Sequence, residues 1–257
     1  MITTPTMSNL TQPPAYKTSL LRLALENNIL TFGTFTLKSG RQSPYFFNCG
    51  LFSTSKLITA LSNAYAQTLH DHFSQISTPD PSDPGFDIIF GPAYKGIPLA
   101  ATTAQALNTL SETRYGDVGF AFNRKEAKTH GEGGSLVGQP LQGKRVIIID
   151  DVITAGTAIR EAISIIEAAG GKLVGICVAV DREERMPSRA ELEGRFGEVP
   201  GEGERGSAIG EVKRVTGVPV LSILSLGVMV RGLRALGRGK GEVEAMERYA
   251  EMYKPSD

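Results

Sequence analysis

Cysteine is nearly missing from this 257-residue chain: only Cys49 and Cys177 occur, and they form no CxxC pair. That excludes a disulfide framework and offers no zinc-ligand spacing. Both cysteines read as small apolar residues, and the chain as a soluble protein of a reducing compartment, the cytoplasm. Long apolar runs are missing too; none approaches the roughly 18 residues that a membrane span needs. The opening MITTPTMSNLTQPPAY lacks the charged and then apolar regions of a secretory signal, so residues 1–15 read as a disordered lead-in. Neither sign of charge is in excess. Lys and Arg number 27 against 27 Asp and Glu, with a pI near 6.9, a balance unlike the basic excess of a general nucleic-acid binder. Histidine occurs three times, and His70 and His72 fall near a predicted helix end, where a cation suits the dipole.

What the sequence does have is alternation. Leu20, Leu21, Ala24 and Leu25 predict an amphipathic helix that ends before Gly33, and Leu57, Leu61, Tyr65 and Leu69, four residues apart, predict a second. A proline-rich loop at 77–85 precedes a strand at 86–90, and a helix follows over 98–110. Further strands are expected at 118–122, 145–150, 173–180 and 218–224, with a terminal helix over 241–254. Strands separated by helices imply parallel pairing and right-handed crossovers, so the fold class is α/β. Residues 16–257 read as one domain. The stretch 193–210, rich in glycine and charge without any period, reads as a mobile surface insertion.

In open α/β sheets a ligand sits beyond the carboxyl ends of the strands, so the residues after each strand carry the functional reading. After 86–90 comes GPAYKG (91–96), and after 118–122 comes NRKEAKTHGEGG (123–134), with Arg124, Lys125, Lys128 and His130. After the apolar run Val146 to Ile149 come two adjacent acids and a small-residue turn, DDVITAGTA; after 173–180 comes DREER, with Arg182 at the exit. Paired carboxylates at the end of a buried strand lose hydration and need a compensating partner. Thr154, Ala155, Gly156 and Thr157 enter a helix, whose free N–H groups and dipole favour an anion. Asp150 and Asp151 can accept bonds from vicinal sugar hydroxyls or approach Mg²⁺ through water. Donors below and acceptors above suit a ribose 5-phosphate. The loop is not a Walker A, having no GxxxxGK[ST], and no GxGxxG joins this strand to its helix.

VIIIDDVITAGTA resembles the phosphoribosyl-pyrophosphate (PRPP) signature of type I phosphoribosyltransferases. FTLKSGRQSPYFFNCG (35–50) resembles the base-binding region of the orotate phosphoribosyltransferase family, and GPAYKG, FNRKEAKTHGEGG and DREE match that family in order. The resemblance implies the type I phosphoribosyltransferase fold: a central, mostly parallel sheet flanked by helices, with a small N-terminal hood (about 16–55) over the base site. It implies that Asp150 and Asp151 hold the ribose hydroxyls and that Val152, Ile153 and Thr154 to Ala158 form the 5-phosphate loop. Tyr94 and Lys95 would line the pyrophosphate site, in a loop that often carries a strained peptide in this family. Arg124, Lys125, Lys128 and His130 would belong to a loop that closes over pyrophosphate and partly reaches the neighbouring subunit of a homodimer. Lys38 would contact the substrates, Phe46 and Phe47 would flank the orotate ring, and Arg182 would face its carboxylate or ring edge. Mg²⁺ would ride mainly on PRPP, with no dedicated protein metal site.

Each feature also has a plainer reading. The acid pair could be a helix N-terminal pair, Phe46 and Phe47 core, Lys95 a surface lysine, and 123–134 a solvated turn. Two other functions share the fold: transfer to a purine base, and a PRPP-sensing regulator without chemistry. The acidic-pyrimidine reading is favoured by 35–48 and Arg182, and the catalytic reading by the complete basic loop and the neutral charge.

Overall fold

The computed structural model of the chain describes residues 12–76, 80–128, 134–153, 156–195 and 204–257. In order, the elements are α1 (Ala15–Glu26), β1 (Leu30–Thr36), β2 (Gln42–Phe47), a 3-10 turn (Cys49–Leu51), α2 (Ser55–Phe73), β3 (Ile88–Phe90), α3 (Gly96–Leu110) and α4 (Glu112–Tyr115). Then come β4 (Gly119–Lys128), β5 (Gly134–Gly138), β6 (Arg145–Val152), α5 (Thr157–Ala168) and β7 (Lys172–Asp181). The chain finishes with α6 (Arg189–Leu192), α7 (Ala208–Thr216), β8 (Val220–Ser225), α8 (Leu226–Ala235) and α9 (Lys240–Met252).

The β-branched run of β6 is the centre of a six-stranded sheet ordered β5-β4-β3-β6-β7-β8. Its side chains alternate between two faces, and both faces are covered. Ile147 and Ile149 enter a core with Leu61, Tyr65 and Leu69 of α2, while Val146 and Ile148 enter a second with Ile159, Ala162 and Ile166 of α5. The pairs β3·β4, β3·β6, β6·β7 and β7·β8 are parallel, so the carboxyl ends of β3, β4, β6 and β7 open on one edge.

β1 and β2 form a separate antiparallel hairpin over that edge, with a register irregularity between Phe32 and Phe35. A two-stranded ribbon is marginal alone and must be tied down. Arg41, only 1% exposed, does so. Its Nε and Nη2 reach Glu191 at 2.8 and 3.0 Å, its Nη1 reaches the Arg185 carbonyl at 2.8 Å, and its guanidinium lies 4.4 Å from the Tyr253 ring centre. Burial alone would raise the pKa of Glu191, but donors from Arg41, the Ser188 N–H and Arg205 hold it below the ordinary carboxylate range.

Several expectations need correction. Within 123–134, residues 123–128 are strand: β4 continues through Lys128 and pairs antiparallel with β5, while 129–133 lie outside the described residues. The charged residues of β4 are compatible with a strand because ladder bonds use the backbone, and the glycine-flanked GSLVG is too short to show a period. The first helix does end before Gly33, at Glu26, and the strand β1 that follows from Leu30 is not among the expected elements. The end of the expected insertion is ordered helix: Ser207 caps α7, its side chain accepting from the Gly210 N–H. Before that, Arg205 bonds Glu191 at 2.8 Å, and residues 196–203 lie outside the described residues. Ala15, counted with the lead-in, already begins α1, and residues 1–11 are outside those described.

Arg41→Ala leaves Glu191 with Arg205 and the Ser188 N–H, and the hood without its anchor. Chemical denaturation should show a loss of about 3 kcal/mol, as for a broken buried ion pair. A loss under about 1 kcal/mol, the range of an exposed pair, would mean that the hood is held by other contacts.

Candidate active site

The acid pair stands at the end of β6, where Asp150 still pairs with Val178 and Val152 with Val180. Asp151 is buried, and each of its oxygens is engaged: Oδ1 accepts from the Val152 N–H at 2.9 Å and Oδ2 from Lys95 Nζ at 2.8 Å. Asp150 Oδ1 accepts from the Asp151 N–H at 2.8 Å, and its carbonyl accepts from the buried Tyr65 hydroxyl at 2.8 Å. Ile153 packs against the second core. Gly156 then takes φ +70°, a left-handed conformation that lets the chain turn sharply into α5 and leaves Thr157 and Ala158 exposed in its first turn. Thr154 and Ala155 lie outside the described residues.

The loop after β3 is pressed against its own helix. A Cβ on Gly91 would lie 2.1 Å from the Gly96 carbonyl oxygen, so no larger residue fits without moving the loop. The Ala93–Tyr94 peptide is cis, the Ala93 N–H donates to Asn123 Oδ1 at 2.9 Å, and Tyr94 is 70% exposed. Lys95 extends from this loop to Asp151, whose carboxylate holds the ammonium above its ordinary range. Arg124 and Lys125 follow Asn123 on β4, and Lys125 shares a small cleft with Pro92, Ala93 and Ala158. Lys128 ends β4, but its side chain, like the whole of His130, is outside the described residues.

At the exit of β7, Arg182 turns under the hood. Its Nε donates to Glu184 at 2.6 Å, its Nη2 donates to Ser43 Oγ at 2.9 Å, and its guanidinium lies 4.5 Å from the Tyr45 ring centre. Lys38 is exposed in the hood turn. Phe46 is 41% exposed and lies against Phe35, while Phe47 packs near Phe52. Cys49, two residues further on, is close enough to feel the charges of Asp151 and Lys95, which brings the hood's end beside the acid pair. Burial pushes both cysteine thiols up to about 12, so neither is a thiolate near neutrality.

Sequence reasoning missed the supports. Asn123 follows the alternating strand GFAF as its first amide, a detectable signal. Tyr65, Ser43, Tyr45 and Tyr249 looked like ordinary core or loop residues, because their roles come from long-range contacts.

A parallel sheet with an acid pair, a glycine-turned helix entrance and a basic hairpin on one edge is the arrangement of a phosphoribosyltransferase, and the phosphoribosyl transferase domain family matches residues 58–192. Orotate phosphoribosyltransferase of Neurospora crassa is 45% identical over 242 residues, covering 94% of this chain and 97% of that protein. The Pseudomonas aeruginosa orotate phosphoribosyltransferase is 48% identical over 239 residues, 93% of this chain and 98% of that one. The crystal structure of the Francisella tularensis orotate phosphoribosyltransferase superposes with a TM-score of 0.72 at 32% identity, over 92% of this chain and 99% of that one. The chain belongs to the orotate phosphoribosyltransferase family.

Burial pushes the Asp150 carboxyl from 3.8 up to about 6; the Asp151 N–H opposes this and the Asp151 charge adds to it. Between those two values the folded chain holds a proton that the unfolded chain has released, so stability falls as pH rises through that window. Asp150→Asn keeps an acceptor for the Asp151 N–H and removes the charge. It should raise stability above pH 6 by up to about 3 kcal/mol and leave it nearly unchanged below pH 4. Denaturant titrations at several pH values would read this, and a pH-independent difference would refute it.

Proposed function

We propose that the chain catalyses the reaction that names its family: transfer of the 5-phosphoribosyl group from PRPP to N1 of orotate, giving orotidine 5'-monophosphate and pyrophosphate. The observation that carries this reading is the meeting, on one sheet edge, of the Asp150–Asp151 pair and α5 entrance with an arginine held beneath an aromatic hood.

The 5-phosphate sits at the entrance of α5, with the backbone of Gly156, Thr157 and Ala158 as donors. Asp150 and Asp151 accept from the ribose hydroxyls; each Asp151 oxygen keeps a lone pair beyond the bonds it makes to Val152 and Lys95. As pyrophosphate leaves C1, positive charge grows on the sugar, which the acid pair tolerates, and negative charge grows on the leaving group. Lys95, Lys125 and Arg124 face that second charge, and Lys128 and His130, next in the chain, add to them. Mg²⁺ bound with PRPP would add to this neutralisation, and Asp150 and Asp151, acceptor-only groups, would hold its waters. Phe46 and Phe47 flank the orotate ring, Arg182 takes its carboxylate or ring edge, and Lys38 reaches in from the hood turn. Orotate's N1 proton is already acidic, so no strong base is required. The β4–β5 hairpin closes over the site and excludes water that would otherwise hydrolyse PRPP. The enzyme acts in the cytoplasm, as a homodimer whose hairpin partly serves the neighbouring site.

Purified protein given orotate, PRPP and Mg²⁺ should consume orotate in step with pyrophosphate release. Lys125→Ala should lower kcat by about a hundredfold, the scale of losing one charge-stabilising group. Consumption of a purine base in place of orotate would overturn the assignment, and PRPP binding with no base consumed would favour a sensor. Mixing the Lys125→Ala and Asp150→Asn proteins tests the shared site. Activity above that of either alone is expected if the hairpin serves the partner, and none if each site is complete within one chain.

A further inference from the structure

The C-terminal helix α9 reaches into the cluster around Arg182, although nothing in the reaction calls for it. The Tyr249 hydroxyl donates to Glu184 Oε1 at 2.9 Å, the same oxygen that accepts from Arg182 Nε at 2.6 Å. The Tyr249 ring meets the Tyr45 ring edge-on, with centres 6.3 Å apart, and Arg182 lies over Tyr45 at 4.5 Å and beside Tyr249 at 5.9 Å. The other oxygen, Glu184 Oε2, accepts from Arg41 Nη1 at 3.4 Å. One carboxylate is therefore shared by the hood's anchor, the β7 exit and the terminal helix. Arg182 is tethered at two points, by Nε to Glu184 and by Nη2 to Ser43 Oγ at 2.9 Å, so its fork turns with the direction in which Glu184 faces. The tyrosine hydroxyl fixes which way Glu184 faces, and the two rings fix the plane in which the guanidinium lies.

We propose that Tyr249, acting through Glu184, is a positioning residue that sets Arg182 for the base and so tunes the affinity for orotate but not for PRPP. This rests on the reading of Arg182 as an orotate contact. Arg182 is 17% exposed at its side chain, so a small rotation decides whether its fork presents donors to the pocket or spends them on protein groups. Tyr249 itself is 5% exposed and is too enclosed to meet a substrate directly.

The test is steady-state kinetics on the full chain for Tyr249→Phe, Arg182→Lys and the double variant, with melting temperatures alongside. Tyr249→Phe keeps the ring and loses one hydrogen bond to a charged group. It should raise KM for orotate by about tenfold, while kcat moves less than about twofold and KM for PRPP stays unchanged. In the Arg182→Lys background the same change should add almost nothing, because the group it positions is gone. Glu184→Gln, which loses the charge and keeps an acceptor, should show the same split. The inference fails if KM for orotate is unaffected, if both KM values rise together with a lower melting temperature, or if the two changes multiply independently. Arg182→Lys with normal orotate kinetics would refute the base-contact reading and this inference with it, whereas a Tyr249→Phe failure beside a strong Arg182→Lys effect would refute this inference alone.

Discussion

The structure turns on two carboxylates at the end of a strand buried on both faces. Asp150 and Asp151 leave the sheet where β6 has its last partners in β7, and the α2 core lies directly beneath them. Desolvation there disfavours charge, which is why the Asp150 carboxyl is pushed up to about 6. The protein compensates only in part: Lys95 neutralises Asp151 from one side, and each Asp151 oxygen keeps a lone pair beyond its bond to Val152 or Lys95. Pairing both acids fully within the protein would have made a more stable strand end and a poorer site.

The second, half-buried acid cluster follows the opposite logic. Glu191 takes three donor groups, from Arg41, Arg205 and the Ser188 N–H, and its pKa is held low against burial. Glu184 likewise joins Arg41, Arg182 and Tyr249. Saturation here serves construction. A two-stranded hood has too little core of its own, so its position over the sheet edge is borrowed from α6, the residues after β7 and α9. The aromatic residues of the hood can then remain partly exposed, as Phe46 does, without the ribbon being loose.

How much of this was legible in the sequence follows from the range of the interactions. Every strand of the parallel sheet announced itself, because a strand covered on both faces, as β6 is, must be apolar throughout, and that signal is local. The acid pair and the glycine-threonine turn were legible for the same reason: strand end, turn and helix entrance are contiguous. The β4–β5 hairpin was hidden, since Arg124 to Lys128 have the composition of a solvated loop and their pairing to Gly134–Gly138 is a backbone matter. Asn123, Tyr65, Glu184 and Tyr249 act on groups between 30 and 85 residues away, or within a cluster that closes only in three dimensions. No spacing rule reaches that far.

These two classes of residue divide the work. Groups assigned to the reacting atoms come from short contiguous motifs at strand ends, where the sheet fixes direction and a few residues of turn fix the donors. Groups that hold them come from remote elements: an amide on β4 for the loop of Ala93, a tyrosine on α2 for the carbonyl of Asp150, a tyrosine on α9 for the partner of Arg182. Such an arrangement lets the motif residues keep unspent hydrogen-bonding capacity, because a neighbour's backbone or side chain, not the motif's own, carries the positioning. The Asp151 carboxylate shows the limit of this device. Its one tether to a flexible side chain, Lys95, is 71% exposed, so the lysine can exchange that partner for another anion at little cost while the backbone bond from Val152 keeps the carboxylate aimed.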